Sequence, residues 1–192
     1  MARARTVVEQ PEGLVFRRGF LSEDEEHELL AAIGPLEFRT ITMRGQTARR
    51  TVRHYGYDYD YESYGKLVRG QPLPDWLTVI RNRGASFAGV DPDDLVQALV
   101  SRYPPGAPIG WHRDAPMFGA KIVGVSLRAA SRMCFQRTVS GLRHVFELEL
   151  PPRSAYVLAG AARSAWQHSI PPVKELRYSI TFRTLRSERW VA

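Results

Sequence analysis

Hydrophobic and polar positions change their rhythm about halfway along the chain. In the first half, apolar residues recur at helical spacing in two places. Ser22 opens a helix through about Ile33, with Ser22 and Glu25 at capping-box spacing and Gly34-Pro35 ending it. Pro74 and Asp75 start a second, carrying Trp76, Leu77 and Ile80 and ending near Gly84. Short strands are predicted at Val15–Phe20 and Phe38–Met43, with a turn at Gly45, and Thr51–Tyr61 reads as extended chain. From Leu95 onward, short apolar runs are broken by Pro and Gly: 95–102, 123–127, 133–137, 144–150, 155–158 and 177–185. Phe146, Leu148 and Leu150 alternate with Glu147 and Glu149, the period of a half-buried strand. Many short strands with regular turns indicate a sandwich, barrel or jelly roll, with the two helices packed on it. The class is α+β and β-rich, and residues 1–13 read as a loose arm.

The 192 residues fit one domain, expected to be monomeric. No apolar run is long enough for a membrane-spanning helix, and the basic N-terminus lacks the apolar stretch of a signal peptide, so a cytoplasmic location is expected. The single cysteine, Cys134, cannot form an internal disulfide, and its apolar neighbours suggest a buried thiol. The formal charge of +7 is compatible with a nucleic-acid partner.

Among five histidines, His112 stands out in GWHRDAP. His112 and Asp114 are two apart, so on extended chain both side chains share a face. A His beside a carboxylate is two-thirds of a facial triad for Fe(II), which leaves positions open for substrate and oxygen. His168, in SAWQHSIPP, is the candidate third ligand. An H-x-D pair alone is more often a simple His–Asp hydrogen bond than a metal site. The acidic surroundings of His27 indicate a solvated residue, and His144 begins a strand and reads as structural.

RYSITFR, residues 177–183, adds a second signal. Arg177, Ser179, Thr181 and Arg183 share one face, and Tyr178, Ile180 and Phe182 the other. Six residues at ~3.3 Å each set the arginine Cα atoms ~20 Å apart, and two long side chains can converge from there on one small pocket. Guanidinium groups bind carboxylates bidentately, so a dicarboxylate co-substrate beside a metal fits. A zinc hydrolase also uses two histidines and a carboxylate but has no need of this arginine pair.

These residues in this order resemble the AlkB family of dioxygenases. SRYPPGAPIGWHRD (101–114) is similar to the family's N-R-Y-x-P-G strand end followed by H-x-D. VGVSL (123–127) is similar to the next strand, and Arg177 and Arg183 follow the distal histidine as in the family. The resemblance covers about residues 95–185 and extends back through RRTVRHYGYDY (49–59) and FLSEDEEHELL (20–30).

The resemblance implies a double-stranded β-helix and Fe(II) held by His112, Asp114 and His168. It implies 2-oxoglutarate bound by Arg177, with Tyr103 and Ser101 helping, and Arg183 steadying Asp114 or the substrate. Residues 44–64 would form a nucleotide-recognition lid, with Arg49, Arg50 and Arg53 at phosphates and Tyr55 and Tyr57 at bases or backbone. The implied reaction is oxidative demethylation of N-alkylated bases (1-methyladenine or 3-methylcytosine type) in DNA or RNA, as in DNA repair or RNA demethylation.

Several positions depart from the family pattern. Ser101 replaces an asparagine, Pro116 stands where DNA-repair members often carry an acid, and Arg128 replaces the usual glycine. The Arg/Tyr run is closer to members that modify RNA. The alternatives are a tRNA- or protein-directed dioxygenase with the same cofactors, and a non-catalytic jelly-roll binding module.

Overall fold

The computed structural model describes residues 5–43, 45–59 and 67–186. Residues 1–4 of the expected arm, and residues 44 and 60–64 of the expected lid, lie outside them. The elements run β1 (Arg5–Val7), β2 (Leu14–Arg17), α1 (Glu23–Ile33), β3 (Arg39–Met43), β4 (Gln46–Tyr55), β5 (Tyr57–Tyr59) and β6 (Leu67–Arg69). Then follow α2 (Asp75–Ala88), β7 (Gln97–Tyr103), β8 (Ile109–His112), β9 (Phe118–Leu127), β10 (Ser131–Val139) and β11 (Leu142–Leu150). The last are β12 (Ala155–Leu158), α3 (Gly160–Ser164), β13 (Gln167–Ile170) and β14 (Arg177–Leu185).

A seven-stranded sheet runs β2-β12-β9-β14-β7-β4-β3, and a five-stranded sheet runs β1-β11-β10-β13-β8. Strand alternation gives the larger sheet two working faces. On one, Ala98 and Val100 of β7, Val123, Val125 and Leu127 of β9, and Tyr178, Ile180 and Phe182 of β14 pack under α1 and α2 through Leu29, Ile33, Leu77 and Ile80. On the other, Ile122, Tyr156 and Leu158 meet Met133 and Phe135 from the smaller sheet, with Trp166 beside them. This second interface is the inside of the jelly roll. Odd-numbered residues of β7 and β14 point into it, and there Ser101, Tyr103, Arg177, Ser179, Thr181 and Arg183 line a polar site bordered by Ile109, Met133 and Ile170.

Two glycines permit close approaches. A Cβ on Gly124 would sit within 2.1–2.5 Å of the Tyr156 ring, so only glycine lets that ring lie across β9. A Cβ on Gly84 would lie 3.3 Å from Val123, which explains why α2 does not stop there. The glycine is a contact point with β9, and the helix continues to Ala88.

Three further expectations change. Part of the supposed arm is a strand, since β1 pairs in parallel with β11, a contact between distant segments that local pattern does not encode. Cys134 is half buried, because Met133 and Phe135 occupy the inward face of β10 and Cys134 falls on the other. The four-residue strands β8 and β13 and the short helix α3 were not expected, being too brief to display a period.

The α1 capping box forms as read: the Ser22 hydroxyl accepts from the Glu25 N–H, and the Glu25 carboxylate accepts from the Ser22 N–H. One turn on, the buried Glu26 carboxylate accepts from the Arg128 backbone N–H at 2.8 Å and the Arg153 guanidinium at 2.9 Å. Both arginines have left-handed backbones, with φ of 73° and 62°. Glu26 thus stabilises two turns that would otherwise favour glycine, including the position where the resemblance led us to expect one. Glu26→Ala is expected to lower the unfolding free energy by about 1–3 kcal/mol, because it strands the Arg128 backbone donor and leaves Arg153 with Glu23 as its remaining acidic partner. Urea denaturation measures it, and a loss below about 0.5 kcal/mol would refute this role.

Candidate active site

β8 and β13 pair so that His112 and His168 are direct Cα partners. Their rings face the interior with centroids 4.3 Å apart. Asp114 lies just beyond β8, with Oδ2 3.5 Å from His168 Nε2. The three candidate ligand atoms lie within 4.8 Å of one another, close enough to share one metal ion. His112 Nδ1 lies 2.8 Å from the Gly110 carbonyl, which suits an N–H donor there and leaves Nε2 with its lone pair toward the cluster.

The electrostatics prepare these groups for a cation. Burial lowers both histidine pKa values, His168 to about 3, and neighbouring arginines push the same way, so both rings are neutral at pH 7. Burial alone would raise the Asp114 pKa. Arg183, the two histidines and Arg163 outweigh it and hold the carboxyl well below the usual range. Arg183 contacts only Oδ1, through Nε at 3.0 Å and Nη2 at 2.9 Å, so Oδ2 stays turned toward His168. Arg163, on α3, donates to the carbonyls of Asp114, Ala115, Phe118 and Gly119 at 3.0–3.2 Å and clamps the whole loop after the aspartate.

The face of β14 that reads as polar in the sequence lines the same pocket. Arg177, Ser179, Thr181 and Arg183 are joined there by Ser101 and Tyr103 of β7. Arg177 is 1% exposed. Its Nη2 donates to Ser126 Oγ at 3.0 Å, and its Cζ lies 5.0 Å from the Tyr103 ring centroid. Its Nε and Nη1 are buried with no hydrogen-bond partner among the described residues. Such donors are costly to leave unmet, and a carboxylate would satisfy them.

The five residues assigned to the lid separate. Strand alternation turns Arg50 inward, where it is 9% exposed, lines the pocket and donates to Ser101 Oγ at 3.0 Å. Tyr55 joins the core under α2, edge-on to Trp76, and Arg53 reaches Gln71 at 2.6 Å. Tyr57 packs against Leu67, Met117 and Phe118, and Arg49 is exposed, its Nη1 3.5 Å from the Gly106 carbonyl. The structure therefore leaves Arg49 at the surface and brings Arg50 to the metal cluster.

Sequence reading missed Arg163, Ser126, Tyr156, Gln97 and His54. The glycine in VGVSL was the one available signal, since Tyr156 lies over it. Gln97 accepts from Arg183 Nη1 at 2.9 Å and lies 3.1 Å from His54 Nδ1, extending a polar chain from Asp114 to β4. Burial holds His54 neutral, its pKa lowered from 6.5 to about 4 despite the opposing pull of Asp58. The unfolded chain therefore takes up this proton at higher pH than the folded protein. The stability linked to His54 is complete above about pH 6.5 and falls as pH drops toward about 4. His54→Gln is expected to remove about 2 kcal/mol of the wild-type change between these limits. Urea titrations at both pH values measure it, and identical pH dependence in the two proteins would count against it.

Comparison with known proteins agrees with this geometry. The profile of the 2OG-Fe(II) oxygenase superfamily matches residues 13–183. The chain belongs to the 2OG-Fe(II) oxygenase superfamily. Within that superfamily it is AlkB-like. It is 28% identical over 185 residues to the uncharacterized protein L905 of Acanthamoeba polyphaga mimivirus, covering 88% of this chain and 83% of that protein. It is 29% identical over 172 residues to the tRNA (carboxymethyluridine(34)-5-O)-methyltransferase ALKBH8 of Mus musculus, covering 85% of this chain. It is 31% identical over 181 residues to the alkylated DNA repair protein ALKBH8 homolog of Arabidopsis thaliana, covering 83% of this chain. The matches span 25% of the mouse protein and 51% of the plant one.

The fold matches OsALKBH1 with a TM-score of 0.68 at 15% identity, covering 92% of this chain and all of that one. It also matches an oxidoreductase of the 2OG-Fe(II) oxygenase family from Burkholderia pseudomallei, with a TM-score of 0.62 at 17% identity over 91% and 86% of the two chains. This 2OG-Fe(II) oxygenase is therefore an oxidoreductase that uses Fe(II) and 2-oxoglutarate. Its two neutral imidazoles and one carboxylate suit the metal, and the orphaned Arg177 donors suit the co-substrate. Among the described residues, no helix is long and apolar enough to cross a membrane.

Proposed function

We propose that this oxygenase oxidises alkyl groups on bases of DNA or RNA, with His112, Asp114 and His168 holding Fe(II). Arg177 binds one carboxylate of 2-oxoglutarate, with the Tyr103 phenol and Ser101 lining the same cavity. The observation that carries the reading is the adjacency of the three-ligand cluster to a buried arginine with unmet donors. Bound Fe(II) and 2-oxoglutarate supply an oxidation in which oxygen converts an alkyl C–H to C–OH while carbon dioxide and succinate leave. An N-hydroxymethyl product then breaks to formaldehyde and the bare N–H. The protein's own residues keep Asp114 ionised, both imidazoles neutral and the ligand loop fixed.

The formal charge of +7 and the exposed Arg49 favour a polyanionic substrate. So do the relatives, one named for tRNA and another for alkylated DNA. The mouse name also supports a second reading, in which the same cofactors modify a tRNA base. Loading the protein anaerobically with Fe(II) and 2-oxoglutarate, then admitting oxygen with methylated DNA, RNA and tRNA, tests both. Succinate together with loss of one CH2 from a base is the expected result. A base that instead gains one oxygen selects the tRNA-modification reading. Succinate without any nucleic-acid product would overturn the nucleic-acid assignment, and no succinate would overturn the metal and co-substrate assignments.

A further inference from the structure

We infer that the base oxidised in this site is uncharged rather than cationic, and that Arg50 sets this selectivity. The inference rests on the nucleic-acid reading above and narrows it. Its origin is a charge imbalance in the pocket. Three arginines line the cavity, Arg50, Arg177 and Arg183, and among the described residues the only acid lining it is Asp114. Asp114 is engaged on one oxygen by Arg183 and faces His168 with the other. Asp58, on β5, is bound to Arg39 at 2.8 Å and lies 3.9 Å from His54. The chain continues from Asp114 through Ala115, Pro116 and Met117, with no carboxylate among them.

Filling the site does not remove the imbalance. Arg183 and Asp114 offset each other, and the charges of Fe(II) offset those of the 2-oxoglutarate dianion. The Arg50 and Arg177 charges remain, and the imidazoles, being neutral, leave them unchanged.

An adenine or cytosine alkylated on a ring nitrogen is a cation and would enter this field with no free counter-ion among the described lining residues. A base alkylated in place of a ring N–H, as at the imide nitrogen of uracil, stays neutral and offers its flanking carbonyl oxygens as acceptors to a guanidinium. Arg50 is suited to read it, because one nitrogen is anchored on Ser101 and the Cζ is fixed 5.8 Å from the Tyr103 ring. A like charge at ~6 Å with an effective dielectric of ~20 weakens binding by about a hundredfold, and solvent at the mouth reduces that to about tenfold or more.

The test uses two short RNAs that differ at one nucleotide, 3-methyluridine or 3-methylcytidine. They carry the methyl group on the same ring atom and differ in charge. Affinity is read by fluorescence anisotropy with Mn(II) and an unreactive 2-oxoglutarate analogue, and turnover by formaldehyde release with Fe(II). Wild type is expected to favour the 3-methyluridine RNA by about tenfold or more in both. Arg50→Gln should bring the ratio toward one, chiefly by improving the cationic base, while Arg50→Lys should retain the preference.

Equal or reversed preference in the wild type, or an unchanged ratio in Arg50→Gln, overturns the inference. Calorimetric titration with 2-oxoglutarate separates the other use of Arg50. A loss of co-substrate affinity with the base preference intact would assign it to the co-substrate and overturn its role with the base. If wild type neither binds nor oxidises either RNA or the methylated DNA and tRNA panel, the nucleic-acid reading fails and takes this inference with it.

Discussion

His112→Ala and Asp114→Asn each lower 2-oxoglutarate turnover by about a thousandfold or more while the protein remains folded. Losing an outer-shell partner of a metal ligand already costs 10–100-fold, and a direct ligand costs more. The asparagine variant is preferred to alanine because the Asp114 carboxylate also receives Arg183. Removing that side chain altogether would strand a nearly buried guanidinium and mix a folding defect into the measurement. Asparagine keeps the shape and an acceptor oxygen but forfeits the charge that draws a divalent ion. The readouts are succinate formation, calorimetric titration with Mn(II), and the near-ultraviolet circular dichroism that reports packing. Turnover near wild type in either variant would remove that residue from the metal assignment.

Arg177→Met raises the 2-oxoglutarate concentration needed for half-maximal rate by about a hundredfold or more. Truncating one member of a buried, hydrogen-bonded charge pair costs 2–5 kcal/mol, much of it the penalty on the charge left behind. The same substitution has an opposite effect on the protein without co-substrate. Arg177 keeps two buried donors unpartnered among the described residues. Replacing it with an apolar chain of similar length is therefore expected to leave the midpoint of thermal unfolding unchanged or higher. Wild type should gain stability on adding 2-oxoglutarate with Mn(II), and the variant should not. An unchanged co-substrate requirement, or an equal thermal response, would count against the assignment.

The chemistry of the site is more legible in the sequence than the way it is held. His112 and Asp114 lie two apart on one face, and the polar side of RYSITFR faces the pocket, because a period of two depends only on the strand being a strand. Register and partner are a different matter. Arg49 and Arg50 are adjacent, and only the pairing of β4 with β7 decides which turns inward. Arg163 is invisible for another reason: it lies on a five-residue helix and binds backbone carbonyls, which every residue has. Tyr55 shows the converse error. An aromatic residue in an arginine-rich strand resembles a base-stacking surface, yet the face it occupies belongs to the helices.

The Arg163 clamp bears on which metal the protein carries. Four carbonyls held by one guanidinium make the aspartate loop part of the scaffold, so little rearrangement remains when an ion arrives. A cup shaped in advance from imidazole and carboxylate ranks first-row ions by their intrinsic affinity, with cobalt, nickel and copper above iron. Protein isolated from cells would therefore hold ions in proportions set jointly by these affinities and by the supply of each ion. Its apparent specific activity would then report the history of its metal supply as much as the quality of its active site.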